Sequence, residues 1–159
     1  MNKVAKFYKV SSEQFKKNCE IDCFDKIKLP KRATSGSAGY DFYSPFNFDL
    51  KPNESIIIPT GIRCKIDDGW FLAIFPRSGF GFKFRVMLSN TVGIIDSDYF
   101  GADNEGHIMI KIINASKDDK TVSLKCGDAF AQGIFIPYGI TIDDEANEKR
   151  TGGFGSTNK

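Results

Sequence analysis

From Pro30 onward the sequence is a succession of short runs rich in Ile, Val, Phe and Thr, each stopped by turn residues within a few positions. The runs SIIIPTGIRCKI, WFLAIF, RVML, HIMIKII, TVSLKC and AFAQGIFI read as strands. Pro52-Asn53, Asp68-Gly69, Lys117-Asp118-Asp119 and Cys126-Gly127-Asp128 read as the turns between them. Ile66 leads straight into Asp67-Asp68-Gly69-Trp70, a hairpin turn. Strands recurring at intervals of about 8–12 residues predict an all-β sandwich or barrel, not alternating strands and helices. One helix is signalled ahead of them. Ser11 and Gln14 have the spacing of a capping box, and Val10, Phe15 and Cys19 recur at helical intervals. It should be short, because Pro30 soon follows. At 159 residues the chain is one domain's worth. The expected division is an N-terminal segment with a short helix over 1–29, the β-domain over 30–149 and a glycine-rich C-terminal arm over 150–159.

A hydrophobic fraction of 41% with 26% charged residues is ordinary for a globular protein. The net charge of +2, on scattered Lys and Arg, argues against a nucleic-acid partner. No stretch approaches the roughly 18–20 apolar residues of a membrane span. The opening MNKVAKFYKV carries no hydrophobic signal core, so a cytoplasmic protein that binds no membrane is expected. Cys19, Cys23, Cys64 and Cys126, with His107 the only histidine, lack the local ligand pairs of a zinc site. They are expected to be reduced thiols, mostly packing residues.

Several turns hold polar residues that a β-fold alone does not require. In SAGYDFYSP, Asp41 lies between Tyr40 and Phe42 where a strand should begin. Alone, it is equally an edge aspartate satisfying a turn. In FPRSGFGFK, backbone amides freed by Gly79 and Gly81 stand beside Arg77 and Ser78, which is either an anion cradle or a glycine-rich hairpin loop. In SNTVGIIDSDYFG, Gly93 breaks a strand, and Asp96, Asp98 and Tyr99 follow Ile94 and Ile95. A carboxylate buried there could position and deprotonate a water; the alternative is an acidic turn. In CGDAFAQGIF, Gln132 interrupts an apolar strand, as an inward hydrogen-bonder or an outward polar residue. The chain closes on RTGGFGSTNK. Ordering such residues costs roughly 1–2 kcal/mol each, whereas burying Phe154 returns only about 1.5–3 kcal/mol. The arm is therefore either frayed or ordered by a ligand. It is no Walker loop, since no Gly-Lys-Ser/Thr occurs and no helix follows.

In this order, Ala38-Gly39-Tyr40-Asp41, Pro76-Arg77-Ser78-Gly79, Gly93-Ile94-Ile95-Asp96-Ser97-Asp98-Tyr99, Gly127-Asp128 with Ala131-Gln132, and Gly152-Gly153-Phe154-Gly155-Ser156-Thr157 closely resemble the five motifs of the trimeric dUTPases (dUTP pyrophosphatases). The resemblance covers most of the chain. It implies a distorted jelly-roll β-barrel and a homotrimer whose active sites are shared between subunits, with the C-terminal arm closing over a neighbour's site. The implied reaction is hydrolysis of dUTP to dUMP and pyrophosphate, which keeps uracil out of DNA and supplies dUMP. Asp96 would activate the water that attacks the α-phosphorus; a carboxylate needs proximity for this more than unusual basicity. Arg77, Ser78, Gly79, Gln132 and Mg²⁺ would meet the charge on the triphosphate. Magnesium binds largely through substrate phosphates and keeps much of its water, so Asp41 would act on it indirectly, through a water. Asn90, Gly93 and the main chain around Ile94, Ile95 and Met109 would select uracil, because cytosine presents the opposite pattern at its C4 edge. Tyr99 would pack against deoxyribose and leave no room for a ribose hydroxyl, and Asp98 would partner a nearby cation. Phe154 would stack on uracil beside Gly155, and Ser156, Thr157 and Arg150 would approach the phosphates.

The chain departs from the family pattern in places. Ala129 stands where the fourth motif usually has Arg. Arg150 is one residue closer to Gly152 than is common, so that Lys149 could substitute. The stretch FGADNEGH after Tyr99 is several residues longer than usual, and the N-terminal helix is an addition. A dCTP deaminase relative would need a glutamate near the base, and none adjoins Asp96. A nucleotide-sensing regulator that docks on a protein partner is the other alternative, with the insertion and the N-terminal helix as its candidate docking features.

Overall fold

Strands this short leave their N–H and C=O groups unpaired until a neighbour arrives, so pairing decides the architecture. The structure, a computed structural model, describes residues 2–148, 150 and 152. Along them run β1 (Ala5–Lys9), α1 (Ser12–Lys16), β2 (Lys31–Arg32), β3 (Tyr40–Tyr43), β4 (Phe48–Leu50), β5 (Ser55–Pro59), β6 (Ile62–Ile66) and β7 (Trp70–Pro76). There follow α2 (Ser78–Phe84), β8 (Val86–Leu88), β9 (Gly93–Ile95), β10 (Met109–Asn114), β11 (Val122–Leu124) and β12 (Ala129–Pro137). Short 3₁₀ turns occupy Phe24–Lys26 and Ser97–Gly101.

The strands make four antiparallel sheets: β1 with β6, β4 with β11, β5–β10–β8, and β2–β3–β12–β7–β9. The mostly-β jelly-roll expectation holds, but the sheets are not closed into a barrel. Strands as short as β2, β4 and β11 cannot carry one continuous ladder around the molecule. The sheets share a core that includes Phe42, Ile58, Leu72, Ile74, Ile112 and Phe130. Leu72, Ala73 and Ile74 are buried in succession because β7 is covered on both faces, whereas β6 alternates Ile62, Cys64 and Ile66 inward. Cys19, Cys23 and Cys64 are buried free thiols and Cys126 is half-buried, as expected.

Two elements escape the sequence reading. β1 pairs with β6, and Phe7 packs against Tyr40, Phe42 and Phe135 at ring separations of 5.4, 5.8 and 5.7 Å. α2 forms where a glycine-rich loop was expected. Its Gly79 and Gly81 weaken a helix, but Phe80 and Phe84, four positions apart, turn together onto the core with rings 6.3 Å apart.

The N-terminal helix and the 100–107 insertion hold one another. Ser11 Oγ accepts the Gln14 N–H (3.1 Å), the forward half of the expected capping box. The reciprocal half is not made by Gln14, whose side chain donates onward to Asn18. Glu105 replaces it, accepting the Ser11 N–H (2.8 Å) and Oγ–H (2.6 Å). His107 is fully buried. Its Nε2 accepts the Gly61 N–H (2.9 Å), which leaves the proton on Nδ1 to face Asn18 Oδ1 (3.1 Å). The helix and the insertion, both candidate docking features, thus spend these polar groups on each other.

Burial holds the His107 imidazole neutral and lowers its pKa from 6.5 to about 4, against a smaller opposing pull from the Glu105 carboxylate. The unfolded chain therefore binds a proton that the folded chain refuses across that window. Stability is full above about pH 6.5 and falls as pH drops toward about 4, by up to about 3 kcal/mol. Glu105, whose pKa is lowered by its Ser11 hydrogen bonds, adds a loss in the same direction at lower pH. Urea unfolding is expected to show a lower midpoint at about pH 5 than at about pH 7.5. His107→Gln should flatten that difference, and an equally steep fall in the variant would show that another group titrates.

Candidate active site

β12 assembles three of the motifs by register alone. Gln132 lies opposite Asp41 of β3 on one side and Phe75 of β7 on the other, and Ala131 lies opposite Pro76. The first, second and fourth motifs therefore converge on a cavity of about 330 Å³ whose lining includes Gly39, Asp41, Arg77, Ser78 and Gln132. Arg77 Nε is 3.2 Å from Asp41 Oδ1, and Gln132 Nε2 donates to the Pro76 carbonyl (3.3 Å). Gly39 makes room for this: a Cβ there would stand 2.5 Å from Gln132 Oε1. Gly79 follows Ser78 in the first turn of α2. Ala129 pairs with Tyr43 at a break in register, and a cation stands nearby, Lys28 Nζ lying 5.7 Å from the Tyr43 ring.

The third motif builds a different cavity, of about 420 Å³. Asn90, Gly93, Ile95 and Met109 line it with apolar neighbours that include Ile74 and Leu88. Gly93 does not break a strand; it opens β9, where its absent side chain lets Ile74 approach to 3.2 Å from a notional Cβ. Ile95 and Met109 do not pair with each other. β9 pairs with β7, whereas β10 pairs with β5 and β8, so the two segments meet across a cavity and not through a ladder. The Ile94 side chain points away and is exposed. The two cavities share no lining residue.

Asp96 leaves β9 at the start of the 3₁₀ turn. Its side chain is 49% exposed, so of the two arrangements open from sequence, a buried carboxylate or an acidic turn, it is a turn carboxylate that solvent or substrate can reach. Arg150 Nη2 donates to Asp96 Oδ2 (2.6 Å) and its Nε to Asp98 Oδ1 (3.0 Å), giving Asp98 the cationic partner expected of it. The same guanidinium lies 5.7 Å from the Tyr99 ring. Tyr99 is buried; its hydroxyl donates to the His107 carbonyl (2.8 Å) and accepts from Asn104 Nδ2 (2.8 Å). Burial raises the phenol pKa and keeps it neutral. Asn104, Glu105 and His107 belong to this neighbourhood, and the polar turn Asn104-Glu105-Gly106-His107 so soon after Tyr99 is its signal in the sequence. Lys149, Phe154, Gly155, Ser156 and Thr157 lie outside the described residues.

Among the described residues no group of three or more His, Cys, Asp or Glu side chains could hold a metal ion. Among the described residues, Asp41 is the one carboxylate lining the smaller cavity. That donor set suits a hard cation carried in on phosphates and keeping its own waters, not one caged by protein.

The protein-family model for dUTPase matches residues 25–158. The deoxyuridine 5'-triphosphate nucleotidohydrolase of Lactococcus lactis is 40% identical over 134 residues, covering 82% of this chain and 88% of that protein. Among solved structures, the dUTPase from Streptococcus mutans superposes with a TM-score of 0.67 at 32% identity, over 87% of this chain and 98% of that one. A mutant dUTPase from phage phi11 of S. aureus, solved with the coordination of a structural Mg(II) ion, shares the fold with a TM-score of 0.66 at 20% identity, over 92% and 98% of the two chains.

Gly39→Ala tests the smaller cavity. The clash is with the free end of a side chain, so the fold should tolerate it while Gln132 is pushed out. We expect turnover to fall about 10- to 100-fold, the scale of a small misplacement, with the melting temperature shifted by no more than a few degrees. Unchanged turnover would separate Gln132 from the chemistry.

Proposed function

The chain belongs to the dUTPase family and hydrolyses dUTP to dUMP and pyrophosphate, and we propose that Asp96 activates the attacking water. The observation that carries the reading is the division of the motifs on one chain: a polar cavity with Asp41, Arg77, Ser78 and Gln132, and a separate apolar one beside Asp96. Neither is a complete nucleotide site. A homotrimer joins them, the polar cavity of one subunit facing the apolar cavity and Asp96 of the next.

In that assembly uracil enters the apolar cavity, where Asn90 and the main chain of Gly93, Ile94, Ile95 and Met109 meet its polar edge. Cytosine would leave one of those groups unpaired. Tyr99 stands against the deoxyribose and bars a ribose hydroxyl. Arg77, Ser78, Gly79 and Gln132 bind the triphosphate, Arg77 exchanging Asp41 for phosphate oxygens. Asp41, the carboxylate of this cavity, would hold through water a Mg²⁺ carried in on those phosphates, and that ion would supply charge neutralisation to the departing pyrophosphate. Arg150 moves from Asp96 and Asp98 to the phosphates, leaving Asp96 to hold the water and take its proton as oxygen bonds to the α-phosphorus. Phe154 then covers uracil, with Gly155, Ser156 and Thr157 following toward the phosphates.

The test is pyrophosphate release from dUTP with Mg²⁺, against dCTP, dTTP and UTP. Asp96→Asn should lower kcat about 100- to 10,000-fold, the range of a lost general base, while dUTP still binds. A comparable loss of binding would remove Asp96 from the chemical step. Sedimentation should show a trimer; a fully active monomer would refute the shared site.

A further inference from the structure

The insertion after Tyr99 reaches back to that residue. We propose that Asn104 is a positioning residue that holds the Tyr99 ring at the distance needed to exclude ribonucleotides. This rests on the reading that Tyr99 faces the sugar at C2′.

The Tyr99 hydroxyl is held by this loop from two sides, donating to the His107 carbonyl and accepting from Asn104 Nδ2, both at 2.8 Å. The Asn104 amide cannot turn over without loss, because its Oδ1 accepts the Gly106 N–H (3.1 Å). That fixes Nδ2 as the end facing the phenol. The turn is tight: Glu105 and Gly106 are both left-handed, with φ of 59° and 69°. A Cβ on Gly106 would stand 2.5 Å from the Tyr99 carbonyl oxygen and 2.9 Å from Phe100 Cα. The loop therefore wraps the Tyr99 backbone as well as its hydroxyl.

Its far side is anchored. Glu105 is bound by Ser11, and His107 by Gly61 and Asn18. Arg63 Nη2 donates to the Phe100 carbonyl (2.6 Å), and its guanidinium carbon lies 3.7 Å from the Phe100 ring centroid. Rejecting a substrate for one added hydroxyl requires a wall that does not yield, and a first contact is only as rigid as what supports it. Without the Asn104 donor the ring keeps its shape but gains room to tilt.

The experiment measures kcat/KM for dUTP and UTP. Asn104→Asp keeps an oxygen for the Gly106 N–H while removing the donor to Tyr99. Tyr99→Phe removes the hydroxyl and leaves the loop intact. Asn104→Asp should raise the UTP-to-dUTP ratio about five- to tenfold, the effect of one lost hydrogen bond. Tyr99→Phe, which removes both bonds of the hydroxyl, should raise it at least as far, and the double variant should not exceed Tyr99→Phe, as expected for groups acting on one another. Equal losses on both substrates, with the ratio unmoved, would mean that Asn104 is only structural and would overturn the proposal. Tyr99→Ala separates the two levels. A raised ratio there with none in Asn104→Asp or Tyr99→Phe removes Asn104 alone. An unmoved ratio in Tyr99→Ala removes the sugar-facing role of Tyr99 and the proposal with it.

Discussion

The hydrogen-bond ladder of β12 runs along both of its edges, to β3 on one side and to β7 on the other. Side chains alternate along a strand, so a slip of one residue would carry Gln132 to the opposite face. Gly133 helps to forbid the slip: a Cβ on it would stand 2.8 Å from Leu72 Cδ1 and 3.0 Å from Phe42 Cε2. Only glycine lets the flanking strands close at this level. With the register held, Asp41, Gln132 and the Pro76–Ser78 corner have no other place to go. β7 then passes the constraint on, because its second edge holds β9, from which Asp96 departs.

Beside this frame stands a smaller unit joining the N-terminal helix, the 100–107 insertion and Tyr99. Its contacts are specific and partly to fully buried, and such groups are costly to leave unpaired. The two additions to the minimal domain are therefore one device. The insertion supplies the carboxylate that caps α1, and α1 in turn stiffens the turn that grips Tyr99. The neutral buried His107 sits at the centre, bonded to the helix side through Asn18 and to β6's approach through Gly61.

Both arginines near the proposed chemistry have carboxylate partners within the chain, Arg77 with Asp41 and Arg150 with Asp96 and Asp98. In each pair at least one side chain is well exposed, and such pairs contribute only about 0–1 kcal/mol. Weak pairs of this kind keep the side chains oriented yet release them readily to a triphosphate, which offers more charge and better geometry. A tightly buried pair would hold its arginine against the substrate.

The sequence by itself determined the class of fold, the start of α1, the motif residues and the turn at Asp67–Trp70, because strand periodicity, turn chemistry and capping are local. That turn closes no hairpin, since β6 pairs with β1 while β7 joins β12 and β9 in another sheet. Gly39, Asp41, Arg77 and Gln132 could be named from the sequence, since their identities and order carry the family pattern. It understated α2, where a phenylalanine pair outweighs two glycines, and it missed β1, whose partner lies more than fifty residues away. It left open the burial of Asp96 and the strand partners of β9. Both were decided by tertiary structure, because the long connection after Asp96 carries the chain to a different sheet and leaves the carboxylate half exposed. Only the folded chain could show that Glu105 caps a helix 94 positions away, since a hydrogen bond over that separation leaves no local pattern to read.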